Sequence, residues 1–164
     1  MERYRYREEL EFIHYHISLL PKTVQNIIEG THFITSYDPL FLGIPDEGDG
    51  DGREPEEDCF ATIYDRTPTI ILTRKYVFDI FTLLHELGHI ALENLGLNSP
   101  FSIVALNDYA ARNYHECYAT GFQSFLTVER STRFGFHNWE ELLQRDEKTF
   151  FYFVNLFGVT PHLI

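Results

Sequence analysis

The sequence has little cysteine, little positive charge and no long apolar run, and each shortage excludes a class of protein. Only Cys59 and Cys117 are present, and they form no CxxC pair. The sequence therefore does not indicate a disulfide framework, and both thiols are expected to be reduced and partly buried, as in a cytosolic protein. The 13 Lys and Arg residues against 25 Asp and Glu residues give a formal net charge of −12. Binding to nucleic acid through the phosphates needs a positive face, so nucleic acid is not an expected partner.

Neither the N-terminal sequence nor the hydropathy indicates a membrane protein or a secreted one. No apolar run approaches the roughly 20 residues that a helix needs to cross a bilayer. The charged residues Glu2, Arg3, Arg5 and Arg7 are not followed by the apolar stretch of a signal peptide. We therefore expect a cytoplasmic protein with no membrane partner.

The apolar content is sufficient for one folded domain. Hydrophobic residues make up 44 % of the chain and aromatic residues 16 %, as in a protein with a packed core. We expect a single domain over residues 1–164. Within it, the glycines and acids of residues 44–58 predict a flexible acidic loop. Asp49 and Asp51 alternate with glycines as in a calcium loop, but no Glu follows at the EF-hand position and no predicted helices flank the segment.

The spacing of apolar residues predicts a mixture of helices and strands. Leu10, Ile13 and Ile17 have the spacing of an amphipathic helix. Two β-rich runs at 59–64 and 69–73 are joined by a turn signal at 65–68 and predict a hairpin. Helices are predicted over about 5–20, 23–29, 76–95, 107–128, 139–143 and 147–156, and a further strand over 32–36.

The pentapeptide His85-Glu86-Leu87-Gly88-His89 lies in the predicted helix 76–95. Positions four apart share a helix face and lie roughly 6 Å apart along the axis. Both imidazoles can therefore reach one metal ion, and the Glu86 carboxylate points into the same cleft. This is the HExxH arrangement of zinc peptidases, with two His ligands and a Glu as general base.

A catalytic zinc site needs a third protein ligand and leaves its fourth position to water. Four residues elsewhere in the chain are candidates: Glu93, Asp108, His115 and Glu116. Glu93 lies a full turn too far along the HExxH helix, and Asp108 is better explained as a helix cap. His115 and Glu116 point about 100° apart on their helix, so at most one of them faces the metal.

The string Phe81-Thr-Leu-Leu-His-Glu-Leu-Gly-His89, preceded by the predicted strand 69–73, resembles the ImmA/IrrE family of metallopeptidases. In that family a ligand Glu is followed at +3 by Ala, at +4 by Asn, at +6 by Phe and at +10 by Leu. The residues of this chain in that pattern are Glu116, Ala119, Thr120, Phe122 and Leu126, with Thr in place of Asn. The resemblance covers roughly residues 59–128 and implies that Glu116 is the third ligand of a gluzincin-type site.

The resemblance also implies a fold, a cofactor and an activity. The expected fold is α+β and zincin-like, with a small mixed β-sheet packed against the HExxH helix and a second metal-ligand helix. Zn²⁺ would be held by His85, His89 and Glu116, with Glu86 as the catalytic base. The activity would be that of a zinc metalloendopeptidase acting on a protein or peptide, such as a separate helix-turn-helix transcriptional repressor. The hairpin at 59–73 is where an extended peptide would align.

An interpretation from another class is a non-catalytic metal-binding module, such as a toxin, a phage or virion component, or a regulator. Glu86 argues against it, because a purely structural site gains nothing from a base beside an open coordination position. The residue that stabilises the oxyanion stays open among four candidates. They are Tyr109, Tyr114, Tyr118 and His137.

Two small residues near the motif carry structural expectations. A mid-helix glycine costs about 1 kcal/mol relative to Ala, so Gly88 predicts close packing of its helix, for which the sheet is the expected neighbour. Cys117, beside Glu116, is interpreted as a buried small hydrophobic residue rather than a reactive thiol.

Overall fold

The computed structural model describes residues 2–35, 59–64, 66–72, 78–96, 111, 113–129 and 137–158. Within these ranges the chain is mixed α+β, with six helices and one three-stranded sheet. The predicted α+β class is therefore confirmed, whereas the predicted acidic loop at 44–58 lies outside the described residues. In chain order, the elements are α1 Glu2–Ser18, α2 Lys22–Ile27, β1 His32–Thr35, β2 Phe60–Tyr64, β3 Thr67–Leu72, α3 Ile80–Leu95, α4 Tyr114–Phe125, α5 Trp139–Arg145 and α6 Glu147–Phe157.

The sheet has the strand order β1-β3-β2, with β1 parallel and β2 antiparallel to β3. The predicted hairpin is confirmed as β2 and β3, but its turn is tighter than the sequence indicates, because β3 begins at Thr67 and includes Pro68. Pairing with β1 starts only at Thr69. Pro68 thus lies where β3 pairs with β2 alone, and a proline that lacks its N–H is tolerated at such a position.

The helix that carries the HExxH motif begins at Ile80, later than the predicted start near residue 76. Asp79 is its N-cap, and the carboxylate accepts hydrogen bonds from the backbone N–H groups of Phe81 at 3.0 Å and Thr82 at 3.4 Å. The cap satisfies donors that have no partner within the first helical turn. The helix ends at Gly96 as predicted, with a φ of 83° that glycine adopts without steric cost.

The prediction of one long helix from Asn107 or Asp108 to Val128 is wrong in its bounds. Residues 101–110 lie outside the described part of the chain, but α4 begins at Tyr114 and ends at Phe125. The backbone of Asn113 is extended, and its side chain accepts a hydrogen bond from the Glu116 N–H at 2.9 Å. Asn113 is therefore the N-cap, and it places Glu116 in the first turn of α4.

Replacing this cap should weaken the start of α4 without disturbing the core, because Asn113 is exposed. We expect Asn113→Ala to lower the free energy of unfolding by about 1 kcal/mol, the usual value of an N-cap. Urea denaturation followed by circular dichroism measures the change. Asn113→Asp keeps a capping oxygen and should stay within a few tenths of a kcal/mol of the wild type. Equal losses in both variants would contradict the capping role.

Helix α3 occupies the centre of the described fold. It packs chiefly against α4 and also contacts β2 and β3. Behind α4, helices α5 and α6 complete a core rich in phenylalanine, in which neighbouring ring centroids lie 5.5–6.0 Å apart at Phe122, Phe125, Phe153 and Phe157. Among the described helices, none combines the length and the apolar character needed to cross a bilayer.

Candidate metal centre

The HExxH motif lies in the buried middle of α3. His85 is 6 % exposed and Glu86 is 7 % exposed, while His89 is only partly buried. The two imidazole rings lie one helical turn apart, with centroids separated by 5.0 Å. The motif is therefore packed inside the fold, where α3 contacts α4 and the sheet, and His89 is its most accessible member.

Glu116 extends from the first turn of α4 towards the two rings. Its Oε2 lies 3.0 Å from His85 Nε2, and its Oε1 lies 3.4 Å from His89 Nε2. One ligand atom from each of the three residues can be chosen so that all lie within 4.8 Å of one another. Tetrahedral coordination with bonds of about 2.0–2.1 Å places neighbouring ligand atoms about 3.3–3.4 Å apart. Two imidazole nitrogens and a carboxylate at these distances are a donor set that fits a metal ion.

Among the described residues, His85, His89 and Glu116 are the group that could hold a metal ion. Of the other ligand candidates from the sequence, Glu93 and His115 are exposed, and Asp108 lies outside the described residues. His115 neighbours Glu116 on α4, and the rotation of about 100° per residue turns its side chain away from α3. The structure thus brings Glu116, and not His115 or Glu93, to the two histidines.

Burial and hydrogen bonding shift the pKa values of His85 and Glu116. Burial lowers the pKa of His85, and the nearby Glu116 carboxylate only partly offsets this effect. Burial acts to raise the pKa of Glu116, but the hydrogen bonds with His85 and His89 outweigh it and bring that pKa well below its ordinary value. A neutral imidazole and an ionised carboxylate are the forms that bind a metal ion.

Gly88 does pack closely, but the expected neighbour is wrong. A Cβ atom built at Gly88 would lie 2.8 Å from the Cα atom of Ala119. Glycine is therefore required by the approach of α4, and not by the sheet. The sequence offered no means of choosing between these neighbours, because the separation of two helices is a tertiary property.

Of the tyrosines predicted as oxyanion donors, Tyr114 and Tyr118 lie on α4 but on a different side of it from Glu116. Tyr114 and Tyr118 stand two residues before and after Glu116, so each is rotated about 200° from it around α4. Tyr118 is completely buried, and its hydroxyl shares a hydrogen bond of 3.1 Å with the hydroxyl of Tyr152. Burial, together with Tyr152, raises the pKa of Tyr118 well above its ordinary value. Tyr109 lies outside the described residues.

His137, the fourth candidate, lies at the other end of α4. Its Nδ1 contacts the carboxylate of Glu141, and its backbone carbonyl accepts a hydrogen bond from Gln123 Nε2 at 2.8 Å. Gln123 is seven residues after Glu116, which corresponds to about 10 Å along a helix. This hydrogen bond therefore holds His137 near the C-terminal end of α4, away from Glu116 in the first turn.

Cys117 is buried, as expected from the sequence. Burial and the nearby carboxylate of Asp146 raise the pKa of its thiol to about 11. At neutral pH the side chain is thus uncharged. Only the thiolate is a good nucleophile and metal ligand, so Cys117 packs as a small hydrophobic residue beside Glu116.

Comparisons with models of protein families, with curated proteins and with solved structures each gave no match. The resemblance to the ImmA/IrrE family therefore stays a prediction that depends on the motif residues themselves.

Proposed function

We propose that this protein is a zinc-dependent endopeptidase of the ImmA/IrrE type, with a zincin-like fold, that cleaves a separate regulatory protein in the cytoplasm. The observation that carries the proposal is the convergence of His85, His89 and Glu116 from two helices, with Glu86 next to the first ligand. A structural zinc site is closed by four protein ligands, whereas a catalytic site has three and keeps one position open. Three ligands beside a carboxylate base match the catalytic type.

Zinc is the metal that we assign to His85, His89 and Glu116. When bound there, Zn²⁺ supplies Lewis acidity, which lowers the pKa of a coordinated water towards 7 and polarises the scissile carbonyl group. A neutral His85 imidazole and an ionised Glu116 carboxylate bind such an ion without first losing protons. Burial of His85 and Glu116 limits the access of bulk water to these two side chains and strengthens their electrostatic interactions.

Glu86 would act as general base and then as general acid. It stands one residue after His85 and is therefore turned about 100° from it around α3. It would accept a proton from the attacking water and deliver it to the leaving amine, a role that carboxylates fill in zinc peptidases. Because Glu86 is 7 % exposed, its surroundings fix the direction of the carboxylate and limit competition from bulk water.

The arrangement of β2 supports a peptide as substrate. Within the described sheet, β2 pairs with β3 on one side only, and it also contacts α3. An extended peptide can add to such an edge through backbone hydrogen bonds and thereby lie near the HExxH helix. The side chain of Ile63 on β2 is 50 % exposed and offers an apolar contact to such a peptide.

The net charge supports a basic protein as the substrate. A formal charge of −12 attracts positively charged partners and raises the rate at which they associate. DNA-binding repressors have a positive face for phosphate, so a helix-turn-helix repressor has the complementary charge. The proposed partner is thus a protein and not the nucleic acid that it binds.

Cleavage of a peptide library tests the activity across many peptide sequences at once, so no single substrate has to be chosen. We expect the zinc-loaded protein to produce new termini at defined sequence positions, detected by mass spectrometry, and a chelator to abolish them. If the zinc-loaded protein cleaves neither the library nor any candidate repressor, the non-catalytic binding module becomes the better account.

A further inference from the structure

We propose that Gly88 is a positioning residue that sets the separation of α3 and α4 and thereby the affinity of the metal site. This inference depends on the metal-binding role proposed for His85, His89 and Glu116. Gly88 itself has no side chain to offer a ligand, so its effect would act through the distance between the two helices that carry the ligands.

The steric evidence at Gly88 is specific. A Cβ atom there would lie 2.8 Å from the Cα of Ala119, 3.1 Å from the Cβ of Phe122 and 3.2 Å from the carbonyl oxygen of Ala119. Real Cβ atoms essentially never show contacts below 3.0 Å. Two of the three atoms belong to the backbone of α4 and the third is the first atom of a side chain. None of them can move aside by a change of rotamer.

Conformational freedom does not explain the glycine. Gly88 lies inside a regular helix, and its φ is not among the positive values that occur at Gly30, Gly96 and Gly158. Alanine is the better helix former at an ordinary helical position. Without the contact to α4, Gly88→Ala would therefore leave the free energy of unfolding unchanged or raise it. A decrease in the free energy of unfolding would thus report the contact directly.

The contact lies within one turn of the ligands on both helices. Gly88 stands three residues after His85 and one before His89, and Ala119 stands three residues after Glu116. Carbon atoms pack favourably at about 3.5–4.0 Å, so relief of a 2.8 Å contact requires a displacement of roughly 1 Å. Metal sites tolerate deviations of about 0.2 Å in their ligand distances. Because each helix moves as a rigid element, a displacement of this size would change the distances between the ligands by more than a metal site tolerates.

The test compares the zinc affinities of folded proteins by competition with a chromophoric chelator. The variants are Gly88→Ala and, as a matched control, Ile13→Ala, which removes completely buried apolar volume from α1, outside both ligand helices. We expect Gly88→Ala to bind Zn²⁺ at least tenfold more weakly than the wild type, and Ile13→Ala to stay within twofold of it. Circular dichroism establishes that each variant is folded at the temperature of measurement.

The outcomes separate this inference from the proposed function. A wild type without measurable zinc affinity would reject the metal site itself. A wild type that binds zinc, with Gly88→Ala binding equally well, would overturn only the role of Gly88. If Gly88→Ala does not fold, Ala119→Ser adds one atom at a completely buried position, on the residue of α4 whose Cα meets Gly88. A loss of affinity in this variant supports the inference, and an unchanged affinity overturns it.

Discussion

The purified protein is expected to bind about one Zn²⁺ ion per chain, and Glu116→Ala and His85→Ala are each expected to lose it. Removal of a residue that merely orients a zinc ligand costs 10–100-fold in affinity, so removal of a ligand should cost at least about 100-fold. Elemental analysis after gel filtration gives the metal content. Thermal unfolding provides a second measure, because an ion at 100 times its Kd stabilises the folded state by about 2.7 kcal/mol.

The matched control for this experiment is His115→Ala. His115 is exposed and neighbours Glu116 on α4, so its removal should change neither the zinc content nor the thermal shift. Zinc that persists in Glu116→Ala but not in His85→Ala would contradict the assignment of the third ligand. The ligand would then have to come from a different residue.

Glu86→Gln is expected to bind zinc as the wild type does and to lose nearly all peptidase activity. Glutamine has the size of glutamate but cannot accept a proton, and general base catalysis contributes about 10²–10⁴-fold to a rate. We therefore expect kcat to fall by about that factor while the zinc content and the free energy of unfolding change little. The measurement uses whichever peptide the wild type cleaves fastest.

Glu93→Gln is the matched control for Glu86→Gln, because Glu93 is an exposed glutamate on the same helix. It should retain full activity. A Glu86→Gln variant that cleaves as fast as the wild type would mean that another group accepts the proton. Full loss of zinc in Glu86→Gln would instead show that this carboxylate supports the ligands.

The regular parts of the fold and the two histidines of the candidate metal centre could be predicted from the sequence. An apolar stripe with helical spacing around His85 and His89 predicts α3, and alternating β-formers at each side of a turn predict the hairpin of β2 and β3. Both signals are local, because each depends on residues a few positions apart. The motif itself is local in the same sense, since the two histidines stand one turn apart on a single helix.

The third residue of the candidate metal centre and the start of its helix were harder to predict. Spacing alone left both His115 and Glu116 open, and only the family resemblance favoured Glu116. The helix was predicted to begin at Asn107 or Asp108 because both residue types favour the N-cap position, and Asn113 has the same preference. Asn113 is in fact followed three positions later by a glutamate, a pattern typical of a helix N-terminus. Several asparagine and aspartate residues were equally good candidates for the N-cap of this helix, and local propensity does not determine which of them begins it.

Glu116, the proposed third ligand, lies in the first turn of α4. The ends of a helix fray before its middle does. Amide protons in such a turn exchange with solvent through small local openings, without unfolding of the domain. Each opening would move the Glu116 carboxylate away from the imidazoles of His85 and His89. A metal ion bound to these three side chains would oppose such openings. Metal binding would therefore increase the order of the first turn of α4, and a more ordered first turn would bind the metal more tightly.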